Sequence, residues 1–187
     1  TTTDRSGILY DSVSQITNYT DVITSSDKSN TTTVTFAALS SDYDPLTGRL
    51  THYVQTSQEQ GSRIIATTDR SGIHYNPAGQ QDFYVDKITS TATPSLVTYS
   101  AFGANTIDDS GNATYYSVYA AQYDDYGRLK NYYQASVDRD VKDTSVYYVK
   151  TVTYRAGLNN TANIAYDSTG RMTSYRDVVI KTGSYLK

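Results

Sequence analysis

Apolar and polar residues alternate along this chain in short stretches. Residues 33–38 (TVTFAA), 115–120 (YYSVYA) and 146–154 (VYYVKTVTY) carry β-branched or aromatic side chains at strand spacing. That period of two turns one face of an extended chain toward a core. No stretch keeps a helical period for more than two turns. The alternating stretches are separated by Asp-x-x-Gly, at Asp4–Gly7, Asp69–Gly72, Asp108–Gly111, Asp124–Gly127 and Asp167–Gly170. Asn76–Gly79 is a close variant, and Asp44–Gly48 has one extra residue. Asp at the first position bonds the backbone two residues on, and Gly at the fourth accepts φ > 0, as in a type I turn closed by a bulge. The pattern predicts an all-β fold of antiparallel β-hairpin repeats, forming a sandwich or a spiral, shell-like sheet. Residues 25–33 and 90–95 read as long connections within one domain, 1–187.

The turns belong to internal repeats. Residues 2–10 read TTDRSGILY and residues 67–75 read TTDRSGIHY, with only Leu9 and His74 different. A match of that length marks a duplication with an offset of 65. A second frame recurs at 43–53 (YDPLTGRLTHY), 123–132 (YDDYGRLKNY) and 166–175 (YDSTGRMTSY). Worn copies stand at 10–19 (YDSVSQITNY) and 75–84 (YNPAGQQDFY). In this frame the Tyr before the turn and the Leu or Met after it occupy the two arms of a hairpin. YVQTS after His52 resembles YYQAS after Asn131, so the repeated unit extends past the turn. The approximate units are 1–66, 67–143 and 144–187, and the spacing of 80 residues from Tyr43 to Tyr123 exceeds the TTDRSGI offset by 15, so the second repeat carries extra residues.

The frame Tyr-Asp-x-x-Gly-Arg-Leu, ending in Tyr, resembles the YD repeat of Rhs proteins, teneurins and bacterial wall-associated proteins. It is carried by Tyr123, Asp124, Gly127, Arg128 and Leu129, and by Tyr166, Asp167, Gly170, Arg171 and Met172. Tyr43, Asp44, Gly48, Arg49 and Leu50 carry it with one insertion. The resemblance covers about 50 residues in five short segments. It implies β-hairpins laid side by side outside the cytoplasm, with no catalytic role for the repeats.

Composition agrees with the pattern. The 187 residues include 20 Tyr against 3 Phe and no Trp, and Glu59 is the one Glu among 19 acidic residues. Tyr and Thr favour strands, whereas Asp favours turns. Tyr rings are therefore expected to supply much of the core, with their hydroxyls reaching water or a partner. The net charge of −3 offers no basic face to nucleic acid. No apolar run is long enough to span a bilayer as a helix. With no Cys, disulfides and thiolate metal sites are excluded. The chain begins Thr1-Thr2-Thr3, which points to removal of a signal segment or to a piece of something longer.

Candidate chemistry is sparse. Asp109-Ser110-Gly111 matches the Asp-Ser-Gly of aspartic proteases, but no second copy exists and the segment fits the chain's own turn series. Asp138, Asp140 and Asp143 offer carboxylates that suit Ca²⁺, without the Gly and distal Glu of an EF-hand, so a solvated turn is the expectation. His52 and His74 are the only histidines, and each reads as an ordinary exposed strand position beside a Tyr. Asn18, Asn30, Asn112 and Asn159 begin glycosylation sequons. The pairs Tyr115-Tyr116, Tyr132-Tyr133 and Tyr147-Tyr148 are expected to place one ring inward and leave the other open to sugars. No catalytic, cofactor or metal site follows, and an enzyme is not expected. The expectation is a secreted or cell-surface structural subunit that assembles with itself into a filament, sheath or coat. The alternative is a monomeric carbohydrate-binding or adhesion module using exposed Tyr.

Overall fold

A computed structural model describes residues 1–25, 31–142, 148–157 and 163–184. Thirteen strands follow in order: β1 Thr2–Tyr10, β2 Ile16–Thr24, β3 Thr31–Ala37, β4 Tyr53–Glu59, β5 Ile65–Tyr75, β6 Gln81–Ser90, β7 Leu96–Phe102, β8 Gln122–Tyr123, β9 Leu129–Asp140, β10 Tyr148–Ala156, β11 Ala165–Tyr166, β12 Met172–Ser174 and β13 Arg176–Ser184. A single 3₁₀ turn, Ser40–Asp42, is the only helical element among the described residues. The fold is all-β. Eleven strands form one sheet in the order β1-β2-β3-β4-β5-β6-β7-β9-β10-β13, with β8 on β9, while β11 and β12 form a separate hairpin. The chain divides into two compact units, Thr1–Ser71 with Asp86–Val97, and Gly72–Val85 with Thr98–Lys187.

The hairpin frame forms as its sequence predicts. The Asp11 N–H donates to the Gln15 carbonyl, and the same five-residue closure joins Asn76 to Gln80, Asp108 to Asn112, Asp124 to Arg128 and Asp167 to Arg171. In four of these turns Oδ1 of the leading Asp accepts the N–H groups two and four residues on. Those bonds hold the carboxyls below the usual range. The principal donor is the N–H of Gln15 at Asp11, the side-chain amide of Asn112 at Asp108 and the N–H of Arg171 at Asp167. The arms are paired as expected, with Tyr43 opposite Leu50, Tyr123 opposite Leu129 and Tyr166 opposite Met172.

The Tyr of each sharp copy also fastens its hairpin to another. Tyr43 donates its hydroxyl to the carbonyl of Ile16 at 2.6 Å, Tyr123 to Gln81 at 2.5 Å and Tyr166 to Leu129 at 2.8 Å. Each acceptor is the first residue of a strand that emerges from a turn of the same frame.

Three expectations need correction. Asp4–Gly7 and Asp69–Gly72 are not turns. They lie within β1 and β5, where Gly7 (φ 62) and Gly72 (φ 61) adopt the left-handed conformation. In β1 the register slips by one residue between Ser6 and Leu9, which is a bulge. Residues 115–120 form no strand; they belong to the stretch 103–121 that joins β7 to β8 and holds the extra length of the second repeat. The core is not built from Tyr. In the second unit it consists of Phe83, Ala101, Ala104, Ile107, Ala135 and Val137, and Tyr99 and Tyr115 only pack against its side. In the first unit the described buried apolar residues are Phe36, Ala38 and Val97. A Tyr hydroxyl needs a partner, so its ring is driven to half-buried positions.

Close packing of the 103–121 stretch shows at Gly111. A Cβ there would overlap the ring of Tyr99, whereas a Cβ at Gly170 meets nothing; both have positive φ, 86° and 81°. Gly170→Ala is expected to cost about 1 kcal/mol of left-handed strain. Gly111→Ala is expected to cost about 2–4 kcal/mol, because overpacking adds to that strain. Equal shifts in denaturant midpoint would refute the seating of this turn on Tyr99.

Ser14 stands where the other turns have Gly, at φ 66. Ser14→Gly is expected to raise the unfolding free energy by about 0.5–1 kcal/mol, strain relief outweighing the added freedom of the unfolded chain. A lower midpoint for that variant would contradict it.

Candidate functional site

The duplicated element TTDRSGI supplies the same ion pair twice. Arg5 of β1 makes a two-pronged contact with Asp21 of β2, at 2.7 and 2.8 Å. Arg70 of β5 grips Asp86 of β6 in the same way, at 2.7 and 2.9 Å. Arg155 of β10 repeats it with Asp177 of β13, at 2.7 and 2.8 Å. The hydrogen bonds from Arg5 hold the Asp21 carboxyl below its ordinary range, and Arg155 does the same to Asp177. In each case a Tyr lies two residues before the Asp, giving Tyr19-x-Asp21, Tyr84-x-Asp86 and Tyr175-x-Asp177.

These groups end a row of rings that runs across the strands. In the first unit Arg5 sits 3.7 Å over the ring of Tyr19, Tyr19 stacks on Phe36 with centroids 4.8 Å apart, and Phe36 meets Tyr53 at 5.2 Å. Arg70 closes the row 5.5 Å over Tyr53. In the second unit Tyr84 stacks on Phe102 at 5.0 Å and Phe102 meets Tyr132 at 5.2 Å. Arg155 then lies between Tyr132 at 5.7 Å and Tyr175 at 4.0 Å. A fixed bidentate carboxylate holds each guanidinium flat, which presents its faces to rings on either side.

The row is open at β1. Among the described residues β1 pairs with β2 alone, and all nine of its residues are exposed. The Arg5 side chain is 44% exposed, against 19% for Arg70 and 25% for Arg155. None of these arginines was singled out by the sequence motifs. A signal existed, since Arg and Asp recur 16 residues apart in both copies.

The residues that were singled out fall elsewhere. Asp109 lies within the Asp108 turn, is 73% exposed, and pairs with Lys150 at 2.7 Å. Asp138 and Asp140 are at the end of β9 rather than in a turn. Asp138 accepts the Thr98 hydroxyl at 2.5 Å and Asp140 the Lys142 N–H at 2.8 Å, while Asp143 lies outside the described residues. Asn18 is in β2 and Asn112 closes a turn by donating to Asp108; Asn30 and Asn159 lie outside the described residues. Tyr116 is exposed beside the half-buried Tyr115, but Tyr132 and Tyr133 are both half-buried on opposite faces of β9. Tyr147 is outside the described residues.

His74 is the exposed strand position expected, beside Tyr75, whereas His52 is not on a strand, and both have carboxylate partners. His74 is exposed on β5 but its Nδ1 meets Oδ1 of the buried Asp82 at 2.6 Å, and its ring stacks on Tyr115 at 4.0 Å. His52 precedes β4 and lies between Asp42, 2.9 Å from Nδ1, and Asp69, 3.0 Å from Nε2. Alternation along a strand gave no hint of carboxylates supplied by other segments. No three His, Cys, Asp or Glu side chains among the described residues are arranged to hold a metal ion.

No protein-family model, curated protein or solved structure matches the chain.

Burial of His52 works against its charged form, but hydrogen bonds to Asp42 and Asp69 outweigh this and raise its pKa above the ordinary value. The stabilisation is therefore fully present below the pKa of unfolded His, about 6.5, and is lost as pH rises through the raised value. His52→Gln is expected to lose more stability relative to the parent at about pH 5.5 than at about pH 8.5. A difference that does not change between those two denaturation curves would remove the double carboxylate contact.

Proposed function

We propose that this chain is a structural subunit of an extracellular or cell-surface assembly, built from YD-type hairpins and joined to its neighbours by strand addition. The observation that carries this reading is the edge strand β1. An unpaired edge exposes N–H and C=O groups that soluble monomers usually blunt with Lys, Pro or a covering segment. β1 carries the bulge after Ser6 but has neither Lys nor Pro, and Leu9 and Tyr10 are 60% and 59% exposed. The other edge, β13, carries exposed Val178, Val179 and Ile180. The two edges differ in sequence, so a contact between them is head-to-tail. Such a contact gives a filament unless its rotation closes a ring. Export and a non-catalytic role rest on the YD resemblance and on side chains engaged in turns and ion pairs.

A second reading, a monomeric carbohydrate-binding or adhesion module, draws on one feature. Tyr126 is 83% exposed, and Arg128 lies between its ring and that of Tyr166, 4.9 and 4.7 Å away. Two rings flanking a guanidinium offer sugar a flat face and donors.

Deletion of residues 1–9 separates the readings. The full-length chain is expected to form filaments or oligomers by light scattering and electron microscopy, and the deletion to remain monomeric. A full-length chain that stays monomeric at high concentration would sink the assembly reading and favour the adhesion module. Assembly of the deletion to the same extent would remove β1 from the mechanism.

A further inference from the structure

The internal repeats specify what the open edge of β1 is shaped to receive. Residues 2–8 of β1 and 67–73 of β5 are identical, so the strand that pairs with β5 on its β4 side is a template for the absent neighbour of β1. On that side Tyr53 lies opposite Arg70, Gln55 opposite Thr68 and Ser57 opposite Ala66. The second instance has the same register: Tyr132 opposite Arg155, Gln134 opposite Thr153 and Ser136 opposite Thr151. Both incoming strands read Tyr-x-Gln-x-Ser, and in both the Tyr ring stands beside the Arg guanidinium.

Arg5 is prepared in the same manner. Asp21 holds it flat and Tyr19 covers one face at 3.7 Å, as Asp177 and Tyr175 do for Arg155. Arg155 has a second ring, Tyr132, beside it, and Arg5 has its larger exposed fraction instead. We infer that the edge of β1 left unpaired among the described residues is a binding site for an extended segment of sequence Tyr-x-Gln-x-Ser. The segment adds antiparallel, with Tyr opposite Arg5, Gln opposite Thr3 and Ser opposite Thr1. Main-chain hydrogen bonds hold it, and the Tyr–Arg5 contact sets the register. The inference rests on the strand-addition reading of β1 and names which sequence that edge selects, which is not the sequence of β13.

The probe is a fluorophore-labelled peptide His-Tyr-Val-Gln-Thr-Ser-Gln-Glu, the sequence of residues 52–59. Its binding to the full chain is followed by fluorescence anisotropy at a chain concentration where light scattering shows monomers. Saturable binding is expected, with loss of amide hydrogen exchange confined to residues 1–10. Replacing the peptide Tyr by Ala, or Arg5→Ala in the chain, is expected to weaken binding about tenfold. Arg5→Lys, which keeps the charge but not the flat fork, is expected to weaken it as well. Thermal unfolding of each chain variant shows whether it folds; if Arg5→Ala does not, the peptide variant carries the comparison. No saturable binding, protection elsewhere, or equal affinity for the Tyr and Ala peptides would overturn the inference. A monomeric chain that binds the peptide defeats the assembly reading alone. An assembling chain that ignores the peptide defeats the sequence selection alone.

Discussion

Contact between side chains on neighbouring strands is the constraint on which this structure depends. In its first unit the described buried apolar residues are Phe36, Ala38 and Val97, too few to hold several strands by burial alone. What joins the strands sideways is the row Arg5, Tyr19, Phe36, Tyr53 and Arg70, one member per strand from β1 to β5. Aromatic pairs across strands contribute roughly 0.5–1.5 kcal/mol each beyond the area they bury. The arginines finish the row because a guanidinium can stack on a ring while its edge satisfies a carboxylate. Phe takes the middle place in both rows, at Phe36 and Phe102, where a hydroxyl would lack a partner at a site closed by rings on both sides.

The hairpin frame supplies the second tie. Each sharp copy begins with a Tyr whose hydroxyl reaches the first carbonyl of another strand. Burial and the charge of Asp124 push the Tyr166 hydroxyl further from ionisation, so it remains a donor. The Asp that follows is occupied with its own turn, so the Tyr-Asp pair divides one hairpin's needs: the Asp closes it and the Tyr moors it.

The strand content and hairpin turns were legible because their signals are local. A Tyr-Asp arm, a Gly three residues on and an apolar residue after it leave few alternatives for the backbone. The same Asp-x-x-Gly misled at Asp4 and Asp69, because a left-handed Gly also occurs inside a strand, at a bulge in the case of β1. The flanks separate the two cases: in these strands Arg follows Asp, and its partner lies 16 residues later, which is a cross-strand distance. The side-chain partners of His52 and the course of residues 103–121 depend on segments far apart in sequence. Alternation carries no information about them.

The one difference within the duplicated nonapeptide can be traced to that extra stretch. Leu9 in the first copy becomes His74 in the second. At the same offset Thr17 becomes Asp82, which is buried and bonded to the imidazole. The stretch 103–121 covers this corner: Ala121 donates its N–H to the Asp82 carbonyl, and Tyr115 stacks on His74 and reaches Asp82 through its hydroxyl. A buried carboxylate requires hydrogen-bond partners, and the ring of Tyr115 requires a flat surface. His74 meets both requirements, and Leu meets neither. Leu9 has no such cover and is 60% exposed at the edge. The two copies thus share the backbone and the Arg–Asp clamp, and they diverge at the position where one copy has gained a second layer.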